Sequence, residues 1–290
     1  MIPYAAKTHP GLKRNKNEDS YAAEPSINLW AVADGVGGHS NGEVASRIAC
    51  EALVAGVRDG LTLAQSIGQA HESVLEEIRA RGQSSDQNST NMGTTIVAVV
   101  FSGRKYTISW VGDSRAYLFD GNLKQLTRDH SAISELLARG VLSPDKVADH
   151  PQRHALSRSL GVSDLNTSTP SSVSGKLRKG QQLLLCSDGL TDELSDDQIQ
   201  RKLRSKKSAD DQVEALIQSA LAHGGSDNLT VILIGDPPEK RSSIGDQLDL
   251  DVTQDIRDPI PTAVSRSGHP FLKLWLPLLV IVLVAITLLS

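Results

Sequence analysis

The sequence predicts an α+β protein built on antiparallel sheets, and three observations lead to that fold class. Short apolar runs rich in β-branched residues are separated by turn residues, which is typical of strands. Apolar residues also recur at helical spacing in two pairs of segments, one on either side of the main group of strands. Strands and helices therefore do not alternate one by one, as a parallel βαβ arrangement would require.

The predicted elements follow from these patterns. The strands are expected at residues 28–33, 94–101, 106–111, 116–119, 182–186 and 229–234. The helices are expected as two pairs, 43–58 with 63–81 and 195–205 with 208–222. Each helix of the second pair is preceded by a serine that can cap its N-terminus: Ser195 for the first and Ser208 for the second. Gln198 and Asp211 follow three residues later, as in a capping box.

Composition excludes several classes of function. The chain has 290 residues and a formal net charge of −4, so it carries no large basic field, and only ten residues are Trp, Tyr or Phe. Nucleic acid is therefore not expected as a partner. The two cysteines, Cys50 and Cys186, lie far apart without metal-ligand spacing, which excludes a disulfide scaffold and favours a reducing compartment.

The chain divides into three parts by composition. Residues 1–236 hold the predicted strands and helices, residues 237–270 resemble a flexible linker, and residues 271–290 are strongly apolar. The run Leu274–Leu289 has no charged residue and approaches the length of about 20 residues that spans a bilayer. Because Arg266 and Lys273 precede it, we expect a single-pass anchor in the lipid of the cell membrane, with the preceding residues in the cytoplasm. A buried C-terminal helix or strand is the alternative.

Acidic residues recur where the predicted strands end or begin. Asp34, Asp113 and Asp188 follow strands, and Asp227 precedes the last one. Each of them alone is typical of a turn. Together they predict a cluster of carboxylates at one rim of a sheet, which requires a cation between them. Oxygen ligands without His or Cys favour Mg²⁺ or Mn²⁺, and the carbonyl of Gly35 is a further candidate ligand.

A polar segment near the N-terminus adds Arg14, Glu18 and Asp19. One interpretation is an exposed loop. The other is a phosphate clamp, because a guanidinium group binds phosphate oxygens in a bidentate manner. Arginine beside a carboxylate-bound divalent cation is suited to attack on phosphorus.

These residues stand in motifs that resemble the metal-dependent protein phosphatase family (PPM, or type 2C) in its bacterial form. The resemblance covers residues 1–236, in the order Arg14-x-x-Asn-Glu-Asp, Asp34-Gly-Val-Gly-Gly-His, Gly93-Thr-Thr, Gly112-Asp-Ser-Arg-Ala-Tyr, Leu126-Thr-x-Asp-His-Ser, Ser187-Asp-Gly-Leu and Gly225-Ser-Asp-Asn. It implies a four-layer β-sandwich of two antiparallel sheets flanked by helix pairs. It also implies a protein serine/threonine phosphatase that uses two Mn²⁺ or Mg²⁺ ions, and residues 130–165 match a flap beside the active site.

The resemblance also implies a role for each acidic residue. Asp34 would bridge the two metals together with the Gly35 carbonyl. The other expected metal residues are Asp188 and Asp227 on one ion, Glu18 near the other through water with Asp19 supporting it, and Asp113 with Asp188 at a third ion. A metal-activated water would attack phosphorus while Arg14 offsets charge on the phosphoryl oxygens. Val36 stands where many members carry a histidine proposed as the general acid, so that acid is unassigned.

The expected partners are phosphorylated proteins, the substrates of a serine/threonine kinase. Two other functions stay open at this point. One is a catalytically inactive module of the same fold that binds phosphoproteins. The other is a different metallohydrolase, such as a phosphatase of small molecules.

Overall fold

A computed structural model describes residues 2–37, 41–82, 92–143, 146, 150–152, 155–161, 170–204 and 208–237. The strands are β1 Tyr4–His9, β2 Asp19–Glu24, β3 Leu29–Val36, β4 Gly93–Thr94, β5 Ile96–Ser102, β6 Lys105–Val111, β7 Arg115–Phe119, β8 Leu123–Gln125, β9 Ser171–Lys176, β10 Gln182–Cys186 and β11 Leu229–Ile234. The helices are α1 Asn41–Arg58, α2 Leu63–Gly82, α3 Ala132–Ala138, α4 Asp188–Glu193, α5 Asp196–Leu203 and α6 Ala209–His223.

The strands form two antiparallel sheets. The first has the order β1-β11-β10-β7-β8 and the second has the order β2-β3-β5-β6-β9, with the short β4 paired to β3. Every pairing is antiparallel. The predicted α+β class with antiparallel sheets is therefore confirmed.

Alternation along the strands divides the core into three layers of side chains. Trp30 and Val32 of β3 face Leu183 and Leu185 of β10 between the two sheets. The intervening residues, such as Ala31, face outward and pack under α1 and α2. On the other side, the outward residues of β10 and β11 pack under α4, α5 and α6. Since successive side chains of a strand point to opposite faces, strands buried on both faces are continuously apolar, and the molecule is a helix–sheet–sheet–helix stack of four layers.

The helices begin and end close to where the sequence places them. Ser195 caps α5 with a full capping box, because its side chain accepts from Gln198 and the Gln198 side chain accepts from the Ser195 backbone. Ser208 caps α6 by accepting from the backbone N–H of Asp211. Both caps satisfy backbone donors that the first helical turn leaves unpaired.

Sequence patterns miss four strands and two helices. Strands β1, β2 and β9 carry Ala, Ser, Lys or Gly instead of a β-branched run, and β8 has only three residues. They form because neighbouring strands offer them hydrogen-bonding edges, which is a tertiary effect that overrides propensity. The predicted strand 94–101 is also interrupted at Thr95, where β4 ends and β5 begins.

The predicted membrane anchor, residues 271–290, and all of the predicted linker, residues 237–270, except Pro237 lie outside the described residues, so these predictions stay predictions. Among the residues that are described, no helix combines the length and the apolar character needed to cross a bilayer.

Candidate functional site

Three of the predicted carboxylates come from strand ends of the two sheets at the same end of the sandwich. Asp34 lies near the end of β3 and is paired in register with Asp19, the first residue of β2. Asp188 follows β10 as the first residue of α4. Asp113 lies in the turn between β6 and β7. Strand pairing within each sheet and packing of the two sheets together bring residues far apart in the sequence to one rim.

Glycine permits the close backbone packing below this rim. A Cβ added at Gly35 would lie 2.2 Å from the carbonyl oxygen of Gly42 and 2.6 Å from that of Glu18. The Gly35 N–H donates to the Glu18 carbonyl at 3.2 Å, and the Ser46 hydroxyl donates to the same oxygen at 2.6 Å. Any side chain at residue 35 would push α1 away from β3, so the sequence Asp34-Gly35 is required by packing as well as by any ligand role.

Asp19 is buried and only half satisfied. Its Oδ2 accepts hydrogen bonds from the hydroxyls of Ser187, at 2.8 Å, and Thr230, at 2.7 Å. Its Oδ1 is buried without a hydrogen-bond partner. A buried carboxylate oxygen without a donor is costly, so this atom is a candidate to face a cation or a water.

The carboxylates raise one another's pKa. Burial raises the pKa of Asp34 well above its ordinary value, and the negative charges of Asp19, Asp188 and Asp113 raise it further. Burial raises the pKa of Asp113 to about 8, with Asp188 and Asp129 adding to the shift. Burial raises the pKa of Asp19 to about 7, against the lowering effect of its two hydroxyl donors. Like charges held together in a poorly solvated site have this effect until a cation neutralises them.

The fourth strand-end residue, Asp227, pairs with the predicted phosphate clamp. Arg14 donates through Nη2 to Asp227 Oδ2 at 2.6 Å, and the other oxygen accepts from the Asn228 N–H at 2.8 Å. The hydrogen bond and charge of Asp227 raise the pKa of Arg14 despite the opposing effect of burial. Burial raises the pKa of Glu18, which Arg14 opposes and Asp227 reinforces. Arg14, Glu18 and Asp227 thus form a second charged group at the same end of the molecule.

Asn228 holds that second group together, and sequence reasoning assigned it no role. Its Oδ1 accepts from the Glu18 N–H at 2.8 Å, and its Nδ2 donates to the carbonyls of Pro10, at 2.9 Å, and Lys16, at 2.8 Å. The asparagine therefore fixes the loop of Arg14 to the loop of Asp227. The Asn228 side chain is only 4% exposed, and this burial, which the sequence does not show, indicates its structural role.

Ser187 and Thr230 were also missed as site residues. Each is a buried hydroxyl at the end of an otherwise apolar strand segment, in the sequences Gln-Leu-Leu-Leu-Cys-Ser187 and Leu-Thr230-Val-Ile-Leu-Ile. A polar side chain in such a run needs a partner when it is buried. That pattern is a signal that could have identified both of them.

A half-buried ion pair connects the start of the expected flap to this end of the molecule. Arg115 on β7 contacts Asp129 with Nη2–Oδ2 at 2.6 Å and with Nε 3.0 Å from each carboxylate oxygen. Arg115 also donates to the Tyr117 hydroxyl, which donates to Asp196. His130, which follows Asp129 in the sequence, donates its backbone N–H to the Gly112 carbonyl at 2.9 Å. The position of residues 129–131 is therefore coupled to the turn that carries Asp113. Of residues 130–165, those at 144–145, 147–149, 153–154 and 162–165 lie outside the described residues.

The donor chemistry of the site fits divalent cations. All the candidate side chains are carboxylates, one buried oxygen of Asp19 has no donor, and Asp34 lies among three further negative charges. Oxygen donors of this kind are those of Mg²⁺ and Mn²⁺. Within the described ranges, however, no three His, Cys, Asp or Glu side chains converge into a preformed metal site. The carboxylates are thus gathered at one end without being arranged as a finished ligand set.

The structure does not assign the general acid. Val36 is 37% exposed at the end of β3. His39 lies outside the described residues. The absence of a titratable group at residue 36 leaves protonation of the leaving group to another source.

Comparison with known proteins agrees with this fold and site. A profile of the protein phosphatase 2C family matches residues 13–233. The chain is 36% identical to the serine/threonine protein phosphatase PstP of Mycobacterium tuberculosis over 236 residues, covering 80% of this chain but only 45% of that relative. This chain therefore matches less than half the length of that protein. It is 34% identical to the serine/threonine phosphatase stp of Listeria welshimeri over 237 residues, covering 79% of this chain and 93% of that one.

Solved structures show the same similarity. The crystal structure of the M. tuberculosis phosphatase PstP/Ppp superposes with a TM-score of 0.71 at 34% identity, covering 81% of this chain and 99% of that one. A structure of the PstP catalytic domain in complex with two manganese ions superposes with a TM-score of 0.69 at 33% identity and covers the same shares of both chains.

Proposed function

Since the chain belongs to the protein phosphatase 2C family, which is metal-dependent, we propose that it is a protein serine/threonine phosphatase that hydrolyses phosphoserine and phosphothreonine. The observation that carries the proposal is the buried group of like charges around Asp34, in which burial and the charges of Asp19, Asp188 and Asp113 raise its pKa. Burying such like charges without a counterion lowers the stability of the folded state, so a cation is expected between them. The naming of its relatives as phosphatases does not favour the inactive binding module.

The residues of this chain divide the work between two charged groups. Asp34, Asp188 and Asp113, with the Gly35 carbonyl, would hold the cations, and Asp19 would support them from behind through Ser187 and Thr230. Glu18 and Asp227, which lie next to Arg14, would also hold the cations. When bound, the cations supply an activated water for in-line attack on phosphorus and positive charge for its oxygens.

Arg14 would bind the phosphoryl group of the substrate. Its side chain is 56% exposed and reaches the site through a single ion pair with Asp227. A guanidinium group in that position can exchange a carboxylate for a phosphate, since both present oxygens at matching spacing. The Arg14–Asp227 pair would open when a substrate phosphate and a cation arrive.

The test is hydrolysis of a phosphothreonine peptide by the purified full-length chain. We expect phosphate release with Mn²⁺ or Mg²⁺, loss of release in excess EDTA, and recovery when Mn²⁺ is restored. Asp188→Asn should remove the activity, whereas the control Asp59→Asn, on an exposed residue after α1, should retain it. Hydrolysis that continues in chelator would disprove the metal-dependent reaction, and a chain that binds the phosphopeptide without cleaving it would support the inactive module.

We also propose that residues 271–290 anchor the chain in the cell membrane and that residues 1–236 act in the cytoplasm. Support comes from the sequence alone: an uncharged run, Leu274–Leu289, follows Arg266 and Lys273. Independently of the anchor, we propose that Asp113 and Asp188 hold a third metal ion. We also propose that the substrates are proteins phosphorylated by a serine/threonine kinase. Fractionation of cells with carbonate-washed membranes tests the anchor. Recovery of the full-length protein in the soluble fraction would refute it.

A further inference from the structure

The end of the sandwich opposite the carboxylates carries a cluster of exposed cations. The hairpin between β5 and β6 and the turn between β9 and β10 meet there, and we call their five cationic residues the basic rim: Arg104, Lys105, Lys176, Arg178 and Lys179. Strand β11 runs from the carboxylate end to this end over six residues, or roughly 20 Å at 3.3 Å per residue. The basic rim is therefore separate from the site described above.

Two lysines of the rim face each other directly. Lys105 and Lys176 are partners in the antiparallel register of β6 and β9. Like charges opposite each other in a sheet are destabilising. Within the described ranges neither of them forms an ion pair with a carboxylate. An anionic partner would relieve this repulsion.

A cavity lies beside these lysines at the place where the described chain ends. Its volume is about 260 Å³, with apolar walls that include Phe101 and Leu177 and with Arg104 at its rim. Asp236 also lines it, so the chain leaves the domain at this cavity. Whatever follows Pro237 in sequence is held close to the basic rim by covalent attachment.

The sequence that follows contains a segment with matching chemistry. Residues 245–258 include five aspartates against one arginine, and two of the aspartates, Asp249 and Asp251, alternate with Leu248, Leu250 and Val252. Alternation with a period of two places carboxylates on one side of an extended chain and apolar side chains on the other. The ten residues between Asp236 and Gln247 reach up to about 35 Å, which is ample to return to the cavity.

We propose that residues 246–252 of this chain dock on the basic rim, with Asp249 and Asp251 facing Lys105 and Lys176 and with Leu248, Leu250 and Val252 entering the cavity. Covalent attachment gives such a segment an effective concentration in the millimolar range, so weak individual contacts are sufficient. Docking would also shorten the linker. Residues 253–270 would then be the free length between the docked segment and the apolar run, and their coil span of roughly 23 Å compares with roughly 30 Å for all 34 residues of 237–270.

Hydrogen exchange of the full-length chain in detergent micelles tests the docking. Backbone amides of residues 247–253 should exchange about tenfold or more slowly than in the variant Lys105→Glu/Lys176→Glu, because breaking the contact exposes them to water. Adding Asp249→Lys/Asp251→Lys to that variant should restore the slow exchange by reversing both charges. The matched control Lys124→Glu/Arg201→Glu, on exposed cations of β8 and α5, should leave exchange of the segment unchanged.

Three results would overturn the proposal. Equal exchange of residues 247–253 in the unsubstituted chain and in Lys105→Glu/Lys176→Glu would show that the rim does not hold them. Slow exchange that survives these substitutions would place the contact elsewhere. Fast exchange, combined with binding of phosphatidylglycerol vesicles that depends on Lys105 and Lys176, would identify a membrane surface as the partner. Hydrolysis of a phosphothreonine peptide is measured in parallel and should not change, so the docking is judged independently of the enzymatic proposal.

Discussion

The two ends of the sandwich carry opposite charges under opposite conditions of solvation. At one end, Asp19, Asp34 and Asp113 are withdrawn from water, and burial is the largest cause of the raised pKa of each. At the other end, Lys105 and Lys176 lie opposite each other but are exposed. Water screens the charges of the lysines. The buried carboxylates are poorly screened, so without a cation their repulsion is reduced mainly by protonation.

This difference in solvation means that the two clusters of like charges lower the stability of the folded state by different amounts. A cluster of buried like charges costs free energy in the folded state and persists only where something else compensates. An exposed pair of like charges is also destabilising, but it costs less because water screens the charges. The carboxylate end is therefore the one that must bind a cation, and the basic end is suited to a weak, reversible partner.

The largest expected effect is that of Asp34→Asn. The substitution removes the charge at the centre of the cluster with little change of shape. Phosphopeptide hydrolysis should fall by at least about 10³-fold, since loss of even one preorganised stabilising group costs 10²–10³-fold. Without metal at pH 7, the thermal midpoint should rise because repulsion is relieved. A lower midpoint together with retained activity would show that Asp34 is structural.

Asp129→Ala tests whether buried and exposed charges differ as strongly as the comparison requires. In the Arg115–Asp129 pair the side chains are 28% and 13% exposed, and the substitution leaves Arg115 without its carboxylate. Urea unfolding should show a loss of about 3–5 kcal/mol, the range for breaking a buried pair. The control is Glu51→Ala, which breaks the Arg47–Glu51 pair at 54% and 64% exposure and should cost at most about 0.5 kcal/mol. Equal losses would contradict the distinction.

The smallest of the three effects is expected for Arg14→Ala. We expect kcat/KM on a phosphopeptide to fall. The fall should correspond to a loss of about 1.5–3 kcal/mol of transition-state stabilisation, the value of a hydrogen bond to a charged group. Stability should change by less than about 1 kcal/mol, because the Arg14 side chain is largely exposed. Arg14→Lys, which keeps the charge but not the bidentate geometry, should recover only part of the rate. Unchanged kinetics in Arg14→Ala would exclude the clamp.

The sequence predicts the core of this fold well because its central strands are buried on both faces. Runs such as residues 182–186 and 229–234 match β10 and β11 to the residue, since all of their residues except Gln182 and Thr230 are apolar. The edge strands β8 and β9 escape prediction because half of their surface faces water and their composition is polar. Their existence depends on the neighbouring strands β7 and β6, which local patterns do not reveal.

The candidate site divides in the same way. Asp34, Asp113 and Asp188 were predicted to meet because they follow strands, and the structure brings their charges together. The contact between Arg14 and Asp227 was not predicted, because it joins residues 213 positions apart through two loops. The role of Asn228 escaped for the same reason, since its partners are backbone carbonyls and an N–H of a distant loop.

The most direct test of the central claim is the stability of the metal-free protein as a function of pH. Asp19 and Asp113 have an ordinary pKa of 3.8 that the fold raises to about 7 and about 8, so the folded state binds more protons than the unfolded state between these values. The free energy of unfolding in EDTA should therefore fall as pH rises from about 4 to about 8. Mn²⁺ at about 100 times its dissociation constant should restore about 2.7 kcal/mol at pH 8, and Asp19→Asn/Asp113→Asn should flatten the slope. Stability in EDTA that stays level or rises over this range, with no gain from Mn²⁺, would contradict the account.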